Sequence, residues 1–412
     1  MKIMFLGSLI SSEEMERLNK KSTEKASIAP VNYENMLVKG LYENGVEIDV
    51  LSVPAVAAYP HSIFKKIKLK NECIENKINI TWIPFINIQV IKQWTIYYNS
   101  KKALKKWLQE NKDVKDKMVL MYSIYPPYTK SAIYLCKKYE CHLSAVITDL
   151  PEYMYSWKKS KGLKGVYSVI LSNQMKKLQG KCDSYILFTK YMAEKMNILR
   201  KPFLVSEGFS DNNIFKNIDT VEKYSKRTML YGGNLSNLYG IKNLVDAFMI
   251  TNIDAEFHLY GSGIDVEYIK KCAKKDKRIK YMGRVSRNEL LFALKKAHLL
   301  VINKPTEDDY SKYSFSSKIL EYMTSGTPVL TTRVGGMPEE YYKYLYFIED
   351  ESITGISQAI ERYLGLSLSQ LEEKGVKATL FTKTKKNYKI MTKNIINFLE
   401  KVMERHEHKN FI

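Results

Sequence analysis

Phe315-Ser316-Ser317-Lys318-Ile319-Leu320-Glu321-Tyr322-Met323, running on through Gly326 and Pro328 to Val334-Gly335-Gly336-Met337-Pro338-Glu339, is the stretch that decides the fold. Its pattern is a loop, an amphipathic helix opening at a Ser pair, a Gly stop, a short strand and a second Gly-rich loop. Ser316 or Ser317 suits an N-cap, and Ile319, Leu320 and Met323 form one apolar face. Thr324-Ser325-Gly326 ends the helix, and Pro328-Val329-Leu330-Thr331-Thr332 has β-branched strand character. The backbone N–H groups of the first helical turn, with the helix dipole behind them, make an anion site. Glu321, farther along the helix, offers a carboxylate to two vicinal hydroxyls such as those of a ribose. A diphosphate beside a ribose describes a sugar nucleotide.

Working backwards, Thr228–Tyr231 reads as a strand, Gly232-Gly233-Asn234-Leu235 as a loop and Ile241–Met249 as a helix. Strands at Glu256–Tyr260, Ile279–Gly283 and Leu299–Asn303 alternate with helices at Val266–Ala273 and Arg287–Ala297. The first half repeats the alternation. The strand Ile3–Leu6 passes through a polar segment to a helix at Ala29–Glu43, and Val46–Val53 is the next strand. Later strands are Met118–Tyr122, His142–Thr148 and Tyr185–Phe188, with a helix at Thr129–Tyr139. Alternating strands and helices imply parallel sheets. The expectation is an α/β fold of two doubly wound Rossmann-like domains facing across a cleft, with ligands at the carboxyl ends of the strands. Residues 1–200 make the first domain, 201–384 the second, and a helix over about 385–412 packs back on the first.

Asp149, in Val146-Ile147-Thr148-Asp149-Leu150-Pro151, stands where a strand ends and a Pro follows, which aims a carboxylate at such a cleft. The order of residues from 228 to 340 resembles the donor half of GT-B glycosyltransferases, specifically the retaining family 4 (group 1) enzymes. Gly335 to Glu339 matches that family's Gly-Gly-x-Pro-Glu, and residues 118–151 give a looser echo. The resemblance implies that Glu321 holds the ribose, that Ser316 and Ser317 hold the diphosphate, and that Arg284 follows the strand against which the nucleobase lies. It also places Asp149 beneath the transferred sugar as the catalytic carboxylate, and Gly7 and Ser8 in the loop facing phosphates and acceptor.

Two positions depart from the family. Gly233 and Asn234 occupy its Gly-Arg-Leu loop, with Asn234 for the Arg and Tyr239 for a clamping Lys, so Lys242 or Lys318 must supply the missing charge. Tyr313 stands where the first Glu of the family's E-x7-E is expected, leaving Glu307, Asp308 or Asp309 to contact the sugar.

A chain of 412 residues with 45% hydrophobic and 26% charged residues is globular. It contains no apolar run long enough to span a bilayer, about 18 residues. Met1 to Gly7 reads as a first strand rather than a signal segment, so the expected location is the cytoplasm. The five cysteines form no C-x-x-C pair and should be reduced. Asp-x-Asp, the usual holder of a metal-bound diphosphate, is absent, so no metal and no cofactor is expected; a UDP- or GDP-linked sugar is the substrate. Of the net charge of +21, the first 200 residues carry the greater part, 32 Lys+Arg against 18 Asp+Glu. The runs Lys65–Lys70, Lys101–Trp107 and Trp157–Lys161 mix cations with apolar residues, which suits an anionic membrane surface. They fit a solvated Lys-rich face as well. Nucleic acid is not an expected partner, because no known binding module for it occurs.

These features imply a retaining transferase acting on a glycan, lipid-linked or protein acceptor at the inner membrane face, in surface polysaccharide or glycoconjugate assembly. A sugar-nucleotide epimerase of the same architecture and a non-catalytic partner subunit are the alternatives.

Overall fold

The structure, a computed structural model, describes residues 1–74, 78–153, 162–216, 218 and 221–409. It comprises two compact units, residues 1–207 with 388–412, and residues 208–387. The first division falls a few residues beyond the sequence-based boundary, because β10 below still pairs with the first sheet.

The first unit contains strands β1 (Lys2–Gly7), β2 (Glu47–Ser52), β3 (Lys66–Ile67), β4 (Glu72–Ile74), β5 (Ile78–Trp82), β6 (Phe85–Ile86), β7 (Lys117–Tyr122), β8 (His142–Ile147), β9 (Ser184–Leu187) and β10 (Phe203–Val205). Its helices are α1 (Ser12–Lys20), α2 (Ile28–Glu43), α3 (Gln89–Glu110), α4 (Pro126–Lys138), α5 (Gly162–Gln179) and α6 (Tyr191–Lys195). The main sheet runs β10-β9-β8-β7-β1-β2-β5-β4, parallel except for β4, and β3 pairs with β6 in a separate two-stranded sheet. From β1 the chain builds outward through β2 and β5, then returns to β7 on the other flank. The order therefore reverses between β1 and β7, where a doubly wound sheet opens a crevice at its carboxyl edge. β1, β7 and β8 are almost wholly buried, as expected of central parallel strands.

The second unit contains β11 (Thr228–Asn234), β12 (Glu256–Ser262), β13 (Ile279–Gly283), β14 (Leu299–Ile302), β15 (Val329–Thr332) and β16 (Tyr346–Ile348). Its helices are α7 (Ile241–Met249), α8 (Val266–Lys275), α9 (Arg287–Lys296), α10 (Ser317–Thr324), α11 (Ile353–Leu364) and α12 (Leu368–Phe381). The sheet order is β13-β12-β11-β14-β15-β16, all parallel, with the reversal between β11 and β14. Phe248, Phe257, Leu244 and Leu299 are fully buried in its core.

The last helix, α13 (Tyr388–Lys409), belongs to the first unit and packs against α2. The Tyr388 hydroxyl donates to Glu43 at 3.1 Å, and the Asn44 amide donates to the Lys389 carbonyl at 2.9 Å. Residues Thr382–Lys386 form a π-turn before it, so the helix starts later than Lys385.

Two local expectations need correction. Residues 232–234 are not a loop: β11 extends through them, with Gly233 opposite Gly261 and Asn234 opposite Ser262. The polar segment after β1 is largely helix, because Ser11 caps α1 by accepting from the Glu14 N–H. The third basic run, Trp157–Lys161, lies outside the described residues.

Candidate functional site

In the second unit most of the expected donor residues, though not Lys242 or Arg284, gather at the reversal point, at the carboxyl end of β11. Ser316 is the N-cap of α10 but makes no side-chain cap hydrogen bond, so its hydroxyl does not serve the first-turn N–H groups. Ser317, the first helical residue, is exposed. The helix start thus keeps its positive dipole end available to an anion.

Lys318, one residue on, crosses to β11. Its Nζ donates to the Tyr231 hydroxyl at 2.9 Å, and that hydroxyl donates to the Asn234 carbonyl at 3.0 Å. The ammonium lies over the rings of Tyr231, 4.6 Å from the centroid, and Tyr239, 5.4 Å away. Gly233 has φ +151°, and a Cβ built there would fall 1.9 Å from Lys318 Nζ. Only glycine permits both the backbone angle and the approach of the lysine. Burial lowers the Lys318 pKa to about 8, with the Glu321 carboxylate opposing the shift. The lysine therefore occupies the neighbourhood of Asn234 and Tyr239, the two positions at which the family's cations are missing.

Glu321 lies one turn beyond Lys318 and is half-buried. Its Oε2 accepts from Arg287 of α9 at 2.6 Å. Tyr322, pointing inward, accepts from the Gly232 N–H at 2.8 Å and donates to the Gly232 carbonyl at 3.2 Å, which ties α10 to β11. Lys242 is not brought into this group: its Nζ pairs with Asp265 at 3.1 Å and lies over Tyr268. Arg284 is exposed beyond β13. Of the acids before α10, Glu307 is exposed, Asp308 accepts from the Tyr310 N–H at 3.3 Å, and Asp309 lies 3.9 Å from Lys312. The Gly335-Gly336 loop supports that segment, the Gly336 N–H donating to the Ser311 carbonyl at 3.1 Å.

In the first unit, Gly7 and Ser8 close the end of β1 over Glu34. The Ser8 N–H donates to Glu34 Oε2 at 2.7 Å and its hydroxyl donates to Oε1. A Cβ on Gly7 would lie 2.3 Å from Glu34 Oε2, so the glycine admits the carboxyl group. Glu34 has no exposed surface, and burial raises its pKa to about 8 against the opposing Ser8 hydrogen bonds. Asp149 is half-buried just after β8; it accepts from the Thr148 hydroxyl at 3.3 Å and precedes the 3-10 turn Pro151–Tyr153. Tyr122, at the end of β7, lies 3.4 Å from the Thr148 hydroxyl. Burial first, then the Glu34 carboxylate, raises the Tyr122 pKa, with a smaller push from Asp149.

Residues 226–365 match the family model described as Glycosyl transferases group 1. The chain carries a group 1 glycosyltransferase domain. Over 145 residues it is 28% identical to N-acetyl-alpha-D-glucosaminyl L-malate synthase of Bacillus anthracis, covering 33% of this chain and 36% of that protein. The chain thus spans little more than a third of that relative's length. Among solved structures, sucrose-phosphate synthase of Thermosynechococcus elongatus superposes with a TM-score of 0.66 at 12% identity, over 98% of this chain and all of that one. Anabaena Alr3699/HepE, in complex with UDP and glucose, gives 0.56 at 12% identity, over 97% of this chain and all of that one. These full-length matches show the GT-B fold.

Sequence reasoning missed several residues around the group 1 site. Arg287 sits 34 positions before Glu321 and only the packing of α9 beside α10 reveals it. Tyr231 and Tyr322 have no role assigned from the sequence, and their hydroxyl contacts depend on tertiary placement. Glu34 did carry a signal: it shares helical spacing with Leu37, Val38 and Leu41, all buried, and so falls on the inward face of α2.

Proposed function

We propose that the protein is a retaining glycosyltransferase. It moves a sugar from a UDP- or GDP-linked donor to a glycan or lipid-linked acceptor, in surface polysaccharide or glycoconjugate assembly, as a peripheral protein on the cytoplasmic membrane face. The observation that carries the proposal is the grouping, at the end of β11, of an uncapped helix start, a half-buried lysine and a carboxylate held by an arginine. The group 1 match over residues 226–365 supports it. The UDP bound by the Anabaena neighbour favours a uridine donor.

In this proposal the α10 N–H groups and Ser316–Ser317 receive the diphosphate, and Lys318 balances its charge in place of the absent arginine. Glu321 takes the ribose hydroxyls, with Arg287 fixing its rotamer while leaving Oε1 to accept. Asp149 orients the acceptor hydroxyl or stabilises oxocarbenium charge, and the leaving diphosphate helps to remove the acceptor proton. No metal is assigned, because the chain lacks Asp-x-Asp.

The test is thermal shift against uridine, guanosine, adenosine and cytidine diphosphates and their sugars, followed by transfer assays with lipid-linked acceptors. A donor at about 100 times its Kd should stabilise the fold by about 2.7 kcal/mol. Failure of every nucleotide to raise Tm would overturn the proposal. Binding without transfer would instead indicate a non-catalytic subunit, and donor conversion without acceptor an epimerase.

A further inference from the structure

The exposed face of α3 inverts the usual pattern of a surface helix. Its inward stripe is Ile96, Ser100, Leu104 and Leu108, all buried. The opposite stripe, at the same helical spacing, is Ile91, Trp94, Tyr98, Lys102 and Lys105, all exposed. Trp94 is 60% exposed and Tyr98 58%, and their rings stack with centroids 6.2 Å apart. Val90 at 62% and Ile88 and Ile86 at the start of the helix extend the patch. Large apolar side chains gathered in this way on a water-facing surface call for a partner.

The surroundings indicate which partner. The β3–β6 sheet abuts this end of α3, the Thr95 hydroxyl accepting from the Ile86 N–H at 3.1 Å and the Asn99 amide donating to the Pro84 carbonyl at 2.7 Å. A shallow pocket forms there, lined by Lys66, Lys68, Ile86, Thr95 and Asn99. Lys66 and Lys68 line that pocket, Lys65 and Lys70 are exposed beside them in the chain, and Lys102 and Lys105 continue the exposed stripe of α3. None of these six lysines has a carboxylate partner among the described residues. No helix of the described residues is long and apolar enough to cross a membrane. Aromatic side chains flanked by uncompensated cations suit the boundary between headgroups and acyl chains of an anionic bilayer.

We propose that this face of α3, with the β3–β6 sheet, is an interfacial anchor for anionic phospholipid: Trp94, Tyr98 and Ile91 enter the acyl boundary and the lysines engage headgroup phosphates. The proposal deepens the peripheral-membrane part of the function above. Nucleotide affinity, measured on the same variants, separates its failure from failure of the transferase assignment.

The experiment is flotation of the full chain with vesicles of phosphatidylglycerol and phosphatidylcholine, or of phosphatidylcholine alone, together with quenching of tryptophan emission by lipids brominated in the acyl chain. Trp82 and Trp107 are buried, and Trp157→Phe removes the other possible reporter. Binding to anionic vesicles should weaken as salt rises, and Trp94 emission should shift to the blue and be quenched. Trp94→Ala with Tyr98→Ala should lower partitioning about tenfold or more, the scale for losing buried aromatic area. Its melting temperature and nucleotide affinity should stay near those of the parent. Unquenched Trp94, or equal partitioning of variant and parent, overturns the proposal. A lipid-free dimer abolished by the same pair of substitutions overturns it too, by assigning the face to a second copy of the chain.

Discussion

Lys318 offers the sharpest test of the donor site, because its environment predicts a pH dependence that an ordinary surface lysine would not give. Burial between Tyr231 and Tyr239 lowers its pKa to about 8. A free-chain lysine titrates near 10.4. Taken alone, a lowered lysine pKa disfavours the charged form in the folded protein. That cost is present below about 8 and is relieved as pH rises toward the unfolded value. A bound diphosphate reverses the preference, since it favours the ammonium and raises the pKa again. Between about pH 8 and 10, binding must then take up a proton. At pH 9 about a tenth of the free protein carries the charge, so affinity should fall about tenfold from its neutral value, or about 1.4 kcal/mol. Calorimetry in buffers of different ionisation enthalpy should register an uptake approaching one proton at pH 9. Phosphate ionisation lies near pH 6 and leaves this window clear. Lys318→Met should weaken the diphosphate at pH 7 by about 1.5–3 kcal/mol, the range for hydrogen bonds to charged groups, and should abolish both effects. The bare nucleoside should show neither. A nucleoside diphosphate affinity that is flat from pH 7 to 9.5, or equal losses for nucleoside and diphosphate in the variant, would refute the assignment.

Three further outcomes are expected. Glu321→Ala should cost donor binding about 2–4 kcal/mol by calorimetry, whereas Arg287→Ala should cost less, since it frees the carboxylate without removing it; unchanged affinity in Glu321→Ala would sink the ribose contact. Glu34, with its pKa raised to about 8, stabilises the first unit most below the free carboxyl value; that contribution, on the order of a few kcal/mol, should be lost as pH rises from about 4.5 through 8. Denaturation midpoints measured across this range should decline, and Glu34→Gln should flatten the decline; an identical slope in the variant would count against it. Asp149→Asn should lower transfer by about 10²-fold or more while leaving donor affinity within about threefold, and undiminished turnover would return Asp149 to a turn-forming role.

How much of this was legible in the chain follows from which interactions are local. The alternation of apolar strands with amphipathic helices is a local property, and it determined the parallel α/β class and the order of elements from Thr228 to Thr332, whereas β3 to β6 and α3 in the first unit were not read from it. The α10 start at Ser316–Ser317 and the position of Glu321 on that helix were local for the same reason. The resemblance carried by residues 228–340 then pointed to the group 1 family, whose model residues 226–365 match.

Where pattern gave way to packing, the sequence was silent or misleading. Gly232-Gly233-Asn234 has the composition of a loop, yet pairing with β12 holds it as strand, an interaction with residues 260–262 that no local preference records. Lys242 and Lys318 were equivalent as candidates to replace the missing arginine. Only the fold separates them, giving Lys242 to Asp265 and laying Lys318 against Gly233 between two tyrosine rings. Arg287 reaches Glu321, and Trp94 and Tyr98 reach water, through the same long-range choice of which helix face turns inward. A sequence fixes the periodicity of each face. Which neighbour covers that face, or whether any does, is a property of the assembled sheet and helices alone.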